Sequence, residues 1–172
     1  QAHVMLREAE AVLSIGANLG DRAALVRQAL DLVDRAPGMR VVARSGLWES
    51  PAWKPDGADL APDYVNAVAI VRTTLEPLDL LDAVHAIEDA LGRVRTERFG
   101  DRTMDVDVVA YDHVVSDDPV LTLPHPRAHE RQFVLQPWLE VQPGAELPGH
   151  GGIAELAEYA HGDAWPHREE RA

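Results

Sequence analysis

The chain reads as an α+β fold: a ferredoxin-like βαββαβ core with additional strands and helices, in three α/β/α layers around a mainly antiparallel sheet. Three observations predict it. Apolar runs of strand length and helical stripes follow one another in the order strand, helix, strand, strand, helix, strand. The run Tyr64–Thr73 is almost continuously apolar and rich in valine, as a strand covered on both faces requires. With 172 residues and 46% hydrophobic content, the chain can bury one substantial core and is short for two.

Each element follows from local signals. Residues 11–16 form a short apolar strand, broken by Gly16-Ala-Asn-Leu-Gly20, after which Asp21 caps a helix. Leu25, Leu30 and Val33 lie near helical spacing, and Pro37-Gly38 ends that helix. Residues 39–49 read as a second strand. The stretch 50–62 carries Pro51, Pro55, Gly57 and Pro62, so it is irregular, and its length marks it as a functional loop. Pro77 then opens a helix with Leu78, Leu81, Val84, Ile87 and Leu91 on one stripe and Gly92 at its end. Residues 103–112 supply a β-rich strand. Beyond the core, 114–123 provides extra strand or hairpin, 129–139 a third helix and 153–161 a short terminal one.

Composition bounds the function. A net charge of −13 opposes a broad basic grip on nucleic acid. No stretch approaches the roughly 20 apolar residues of a membrane helix, so a soluble protein without a membrane partner is expected. The absence of cysteine excludes disulfides and thiolate metal sites and agrees with a cytoplasmic location. Residues 1–10, with no signal-peptide pattern, read as an N-terminal extension or expression remnant before a single domain over 11–172. Positive charge is concentrated in Arg93, Arg95, Arg98 and Arg102, which form either a solvated surface or a site for something anionic.

The sequence Met104-Asp105-Val106-Asp107-Val108 puts Asp105 and Asp107 on one face of a strand. Two carboxylates in an apolar strand require balancing charge, and hard oxygen ligands beside phosphates suit Mg²⁺. An exposed face, or pairing with arginine, accounts for the same pattern. The adjacent arginines add a second cue, because guanidinium forks and magnesium together neutralise a polyphosphate. The P-loop motif is absent. Near Leu121-Thr-Leu-Pro-His125, His125 and His129 have helical spacing that would suit zinc, but Pro126 disturbs the helix and no third ligand is evident. The alternative takes His125 and Arg131 as phosphate donors with Thr122 positioning the nucleotide. Tyr64 and Asn66 share a strand face, where a buried asparagine needs partners such as a heterocycle's amide edge. Phe99 and Phe133 serve either as core or as stacking faces for a flat ring.

Taken in order, Ser14-Ile-Gly-Ala-Asn-Leu-Gly-Asp21, Asp63-Tyr-Val-Asn-Ala67, Gly92-Arg-Val-Arg95, Arg98-Phe-Gly-Asp-Arg-Thr-Met-Asp-Val-Asp107 and Leu121-Thr-Leu-Pro-His-Pro126 resemble the 6-hydroxymethyl-7,8-dihydropterin pyrophosphokinase family of folate biosynthesis, over roughly residues 12–143. The resemblance implies transfer of the terminal diphosphate of ATP to 6-hydroxymethyl-7,8-dihydropterin, with attack at the β-phosphorus and departure of AMP. It implies two Mg²⁺ ions held with ATP by Asp105 and Asp107, with Arg93 and Arg102 joining them in catalysis. The ATP site would comprise Arg93, Arg95, Arg98, Arg102, Leu121, Thr122, His125 and Arg131. The pterin site would comprise Ser50, Pro51, Tyr64 and Asn66, with Phe99 and Phe133 sandwiching the ring. A monomer is implied, and fusion to another folate enzyme stays open.

The chain departs from the family pattern at Phe99, where tryptophan is common, and at Asp101, where proline is common. Phe99 keeps an aromatic face and loses an indole donor, and Asp101 places negative charge between Arg98 and Arg102. Ala17 in place of the usual serine is a mild change. A nucleotide-sugar transferase would also use Asp-x-Asp with arginines, but its size and Rossmann-like repeat are missing. A non-enzymatic ligand-sensing domain shares the expected architecture, and fold alone does not choose between them.

Overall fold

The computed structural model describes residues 7–51, 63–92 and 104–168. Its core follows the predicted order with the second strand divided in two: β1 (Ala9–Ala17), α1 (Arg22–Arg35), β2 (Met39–Arg44), β3 (Trp48–Ser50), β4 (Tyr64–Thr73), α2 (Pro77–Gly92) and β5 (Met104–Tyr111). After it come a 3-10 turn (Ala128–Glu130), α3 (Gln132–Val141), β6 (Glu146–Leu147), β7 (Gly151–Gly152), α4 (Ile153–Tyr159) and β8 (Trp165–Pro166). The main sheet runs β5-β1-β4-β3-β8, with β2 also on β4, and every recorded pairing is antiparallel. Among the described residues, no helix is long and apolar enough to cross a membrane.

Alternation along the strands builds two cores. On one face, Leu13, Ile15, Val65, Val71, Val106 and Val108 meet the buried stripes of α1 and α2. On the other, Val12, Val68, Ile70 and Val109 meet Val134, Leu135 and Trp138 of α3 and Ile153 of α4. Helix α1 starts where its cap predicts, with the Asp21 carboxylate accepting from Ala24 N–H at 3.2 Å. It stops before Gly38, whose φ of +81° favours glycine and whose absent Cβ leaves room for Leu75 at 3.0 Å.

Several sequence expectations need correction. The strand expected over 39–49 is two strands, because Ser45 interrupts it: its hydroxyl accepts the Val68 N–H at 2.9 Å in place of a backbone carbonyl. Leu78 is 49% exposed, and the buried stripe of α2 is Leu80, Val84, Ile87 and Glu88, the set that follows i, i+4, i+7 and i+8. The helix expected from residue 129 begins at Gln132, since Arg131 is extended (φ −114°, ψ 108°) and separates it from the 3-10 turn. The hairpin expected over 114–123 is held by one bridge, Ser116 opposite Leu123, with reciprocal backbone hydrogen bonds of 2.8 and 2.9 Å. β1 begins at Ala9, two residues earlier than expected; Glu8 just before it accepts from Arg40, and Glu10 within it accepts from Gln142.

Candidate active site

Helices α1 and α2 line one face of the sheet, whereas α3 and α4 cover the apolar end of the other. The end of that second face left beyond them carries polar side chains. Register fixes which residues meet there: Asp105 lies opposite Gly16, Gly16 opposite Asn66, and Asn66 opposite Trp48, while Asp107 lies opposite Ser14. Facing residues in antiparallel strands point to one side, so Asp105 and Asp107 share a surface with Asn66. Adjacent strands stand about 4.8 Å apart, which separates Asp105 from Asn66 by roughly 10 Å across β1. Gly16 forms the floor between them, and a Cβ there would approach the Asn66 Oδ1 to 3.0 Å.

Asp105 and Asp107 open into a cavity of about 240 Å³. Its other walls are Leu81, His85 and Glu88 of α2 and Val120, Leu121, Thr122, His125 and Pro126 of the hairpin segment. The segment is seated by a bulge in β5: Val12 faces Ala110 and Leu13 faces Val108, leaving Val109 as the extra residue. The Val109 carbonyl accepts the His125 N–H at 2.8 Å, and Thr122 Oγ1 donates to the Asp118 carbonyl at 3.0 Å. Bulge and turn together place Thr122 and His125 beside the aspartates.

Electrostatics joins these groups. Burial pushes the His125 imidazole below its ordinary value; Asp107 opposes the shift, and Arg131 and Arg127 reinforce it. His125 Nδ1 accepts from Arg127 N–H at 3.1 Å, so the neutral ring in this arrangement carries its proton on Nε2. Burial likewise lowers Arg131, against the pull of Asp107, and its guanidinium lies 5.4 Å from the Phe133 ring centroid. Among the described residues no group of three or more His, Asp or Glu could hold a metal ion. Two carboxylates with the remaining positions left to phosphate oxygens and water fit Mg²⁺, which keeps few protein ligands.

The structure therefore gathers Asp105, Asp107, Leu121, Thr122 and His125 around one cavity, with Arg131 in the field of Asp107. It joins Asn66 to Ser50 separately, Nδ2 donating to Oγ at 2.8 Å, with both residues buried. Tyr64 is half-buried opposite Ser50, Pro51 is exposed directly after it, and Phe133 packs against the second core. Arg93, Arg95, Arg98, Phe99 and Arg102, with Asp101, lie outside the described residues. The zinc alternative fails, since His129 stacks on His150 with ring centroids 4.1 Å apart and does not line the cavity with His125.

Sequence reasoning missed Glu88. It is 8% exposed on α2, and its Oε2 accepts from Val106 N–H, the residue between the two aspartates, at 2.7 Å. A glutamate four residues after Val84, inside an apolar stripe, was the available signal.

The sequence profile of the 7,8-dihydro-6-hydroxymethylpterin-pyrophosphokinase (HPPK) family matches residues 12–143. The chain belongs to the HPPK family. A Methylorubrum extorquens protein named 2-amino-4-hydroxy-6-hydroxymethyldihydropteridine pyrophosphokinase is 41% identical over 86% of this chain and 92% of its own length. Its Haemophilus influenzae namesake is 37% identical over 86% of this chain and 91% of its own. A crystal structure of Plasmodium falciparum HPPK-DHPS shares the fold with a TM-score of 0.67 at 13% identity, covering 91% of this chain and 45% of that longer one. The HPPK match runs from within β1 through α3, and so includes both aspartates, the hairpin segment and Asn66.

Proposed function

We propose that this site transfers the terminal diphosphate of ATP to 6-hydroxymethyl-7,8-dihydropterin, releasing AMP and the pterin diphosphate. The observation that carries the reading is the cross-sheet row Asp105, Gly16, Asn66. In this reading an anion-handling end and an amide-reading end share one face of the sheet, roughly 10 Å apart, a span that a triphosphate and a bicyclic ring can bridge.

In this reading ATP occupies the cavity between α2, β5 and the hairpin segment. Asp105 and Asp107 would hold two Mg²⁺ ions with ATP, and those ions would supply positive charge that offsets the charge of the triphosphate. His125 donates through Nε2–H and Arg131 through its guanidinium, while Leu121 and Thr122 line the nucleotide wall. Asn66, fixed by Ser50, reads the amide edge of the pterin beside Tyr64 and Pro51, and Phe133 with Phe99 brackets the ring. Arg93, Arg95, Arg98 and Arg102 take the roles that the family resemblance gives them on the triphosphate. Donors aimed at the oxygen between the α- and β-phosphorus favour AMP as leaving group, and no covalent enzyme intermediate is needed. The enzyme works in the cytoplasm as a monomer or as one part of a fused folate enzyme.

Phosphorus NMR of the protein with MgATP and 6-hydroxymethyl-7,8-dihydropterin tests this directly. AMP should accumulate in step with a pterin diphosphate, and omission of magnesium should stop both. Formation of ADP, or no pterin-dependent change, would overturn the assignment.

A further inference from the structure

The strand that carries Ser50 is three residues long, too short to hold its register firmly through a single ladder. It is gripped from both sides. From α3, the Glu140 carboxylate accepts from Trp48 Nε1 and from Gly46 N–H, each at 2.8 Å. From the C-terminal segment, β8 pairs along the opposite edge, with Pro166 opposite Trp48 and Trp165 opposite Glu49. The Leu47 carbonyl accepts the His167 N–H at 2.9 Å. The Glu49 carboxylate then meets two side chains of that segment, accepting from Trp165 Nε1 at 3.2 Å and lying 2.5 Å from His167 Nδ1. Both His167 and Glu49 are largely shielded, with 13% and 19% of their side chains exposed. A shielded pair holds its geometry better than a solvated surface pair.

We infer that Trp165 and His167 are positioning residues for the pterin subsite: they clamp β3, and through it set Ser50 against Asn66 and hold Pro51 at the strand's end. Trp165 and His167 lie outside the residues matched to the family, 12–143, and neither lines the cavity assigned to the nucleotide. The clamp's effect is therefore one-sided. Glu49 points to the face of β3 opposite Ser50, so loosening it shifts the strand without removing any group that faces the site. The inference rests on the reading that Asn66 and Ser50 bind the pterin.

Steady-state kinetics of the full chain tests it, with each substrate varied separately. His167→Ala, and Trp165→Ala combined with it, should raise KM for the pterin about tenfold while kcat and KM for MgATP stay within about twofold. His167→Asn, which keeps an N–H donor where Nδ1 stood, and Trp165→Phe, which keeps the packing, serve as variants that fold if the alanines do not. His167→Asn should recover most of the pterin affinity. Equal rises in both KM values, or an unchanged pterin KM in the double variant, overturns the clamp. Asn66→Ala separates the two ideas: if it leaves the pterin KM unchanged the subsite reading itself fails, whereas a large effect there beside silent tail variants refutes the clamp alone.

Discussion

The two faces of the main sheet use alternate residues of the same strands and end in opposite conditions. On the α1/α2 face, β1, β4 and β5 present apolar residues along their lengths, and Leu13, Ile15, Val65 and Val71 are at most 0% exposed. On the α3 face the apolar run stops partway, at Val12, Val68 and Val109, and the same strands continue as Ser14, Gly16, Asn66, Asp105 and Asp107. One face spends its area on stability and the other divides it between packing and chemistry. Because a strand's side chains alternate, a polar site can sit one residue from a fully buried core without interrupting it. The comparison predicts that changes on the two faces separate cleanly into stability and turnover.

The sharpest test takes one residue from each face. Asp107→Ala should lower turnover by about a thousandfold or more, through loss of the carboxylate proposed to hold metal with the triphosphate, with little change in denaturant midpoint. Leu13→Ala, on the closed face, should lose about 3 kcal/mol of unfolding free energy while the protein that stays folded keeps its KM values. Urea titrations and initial rates on both variants decide it. A stable, active Asp107→Ala variant would break the site assignment.

Glu88 crosses the boundary, since it belongs to the buried stripe of α2 and yet holds the backbone between the aspartates. Its removal should therefore show on both measures. Glu88→Ala leaves the Val106 N–H without its acceptor, which costs about 2 kcal/mol, and should weaken turnover as well. Glu88→Gln retains a carbonyl acceptor and should keep most of the stability. If the two variants are equally unstable, the hydrogen bond to Val106 is not what the side chain contributes.

Local signals made much of this legible. The span of β4, the Asp21 cap and the limits of α2 follow from apolar continuity, capping chemistry and the Pro77 and Gly92 boundaries. The shared face of Asp105 and Asp107 follows from a period of two. What was not legible depends on partners far along the chain. The break at Ser45 needs Val68 across the sheet, and the floor at Gly16 needs the β1–β4–β5 register. β8 is two residues with no periodicity to read, and it exists because β3 offers an edge. The displacement of the α2 stripe from Leu78 to Leu80 arises because both leucines fit a helical period, and only packing chooses between them.

The smallest expected effect is in pH dependence, and it should come from the open face. His125 has a folded-state value below its ordinary one near 6.5, so around pH 6 the unfolded chain binds more protons than the folded chain. By linkage, stability then rises with pH: the contribution of neutral His125 is complete above the ordinary imidazole value and is lost as pH falls through the lowered one. His150, lowered by burial and by His129, adds a slope of the same sign, and His150→Gln removes that part. In that background, His125→Asn keeps an acceptor for the Arg127 N–H and should flatten the remaining dependence of unfolding free energy between pH 7 and 5. An unaltered slope would place the responsible group elsewhere and would remove the argument that His125 enters the site as a neutral donor.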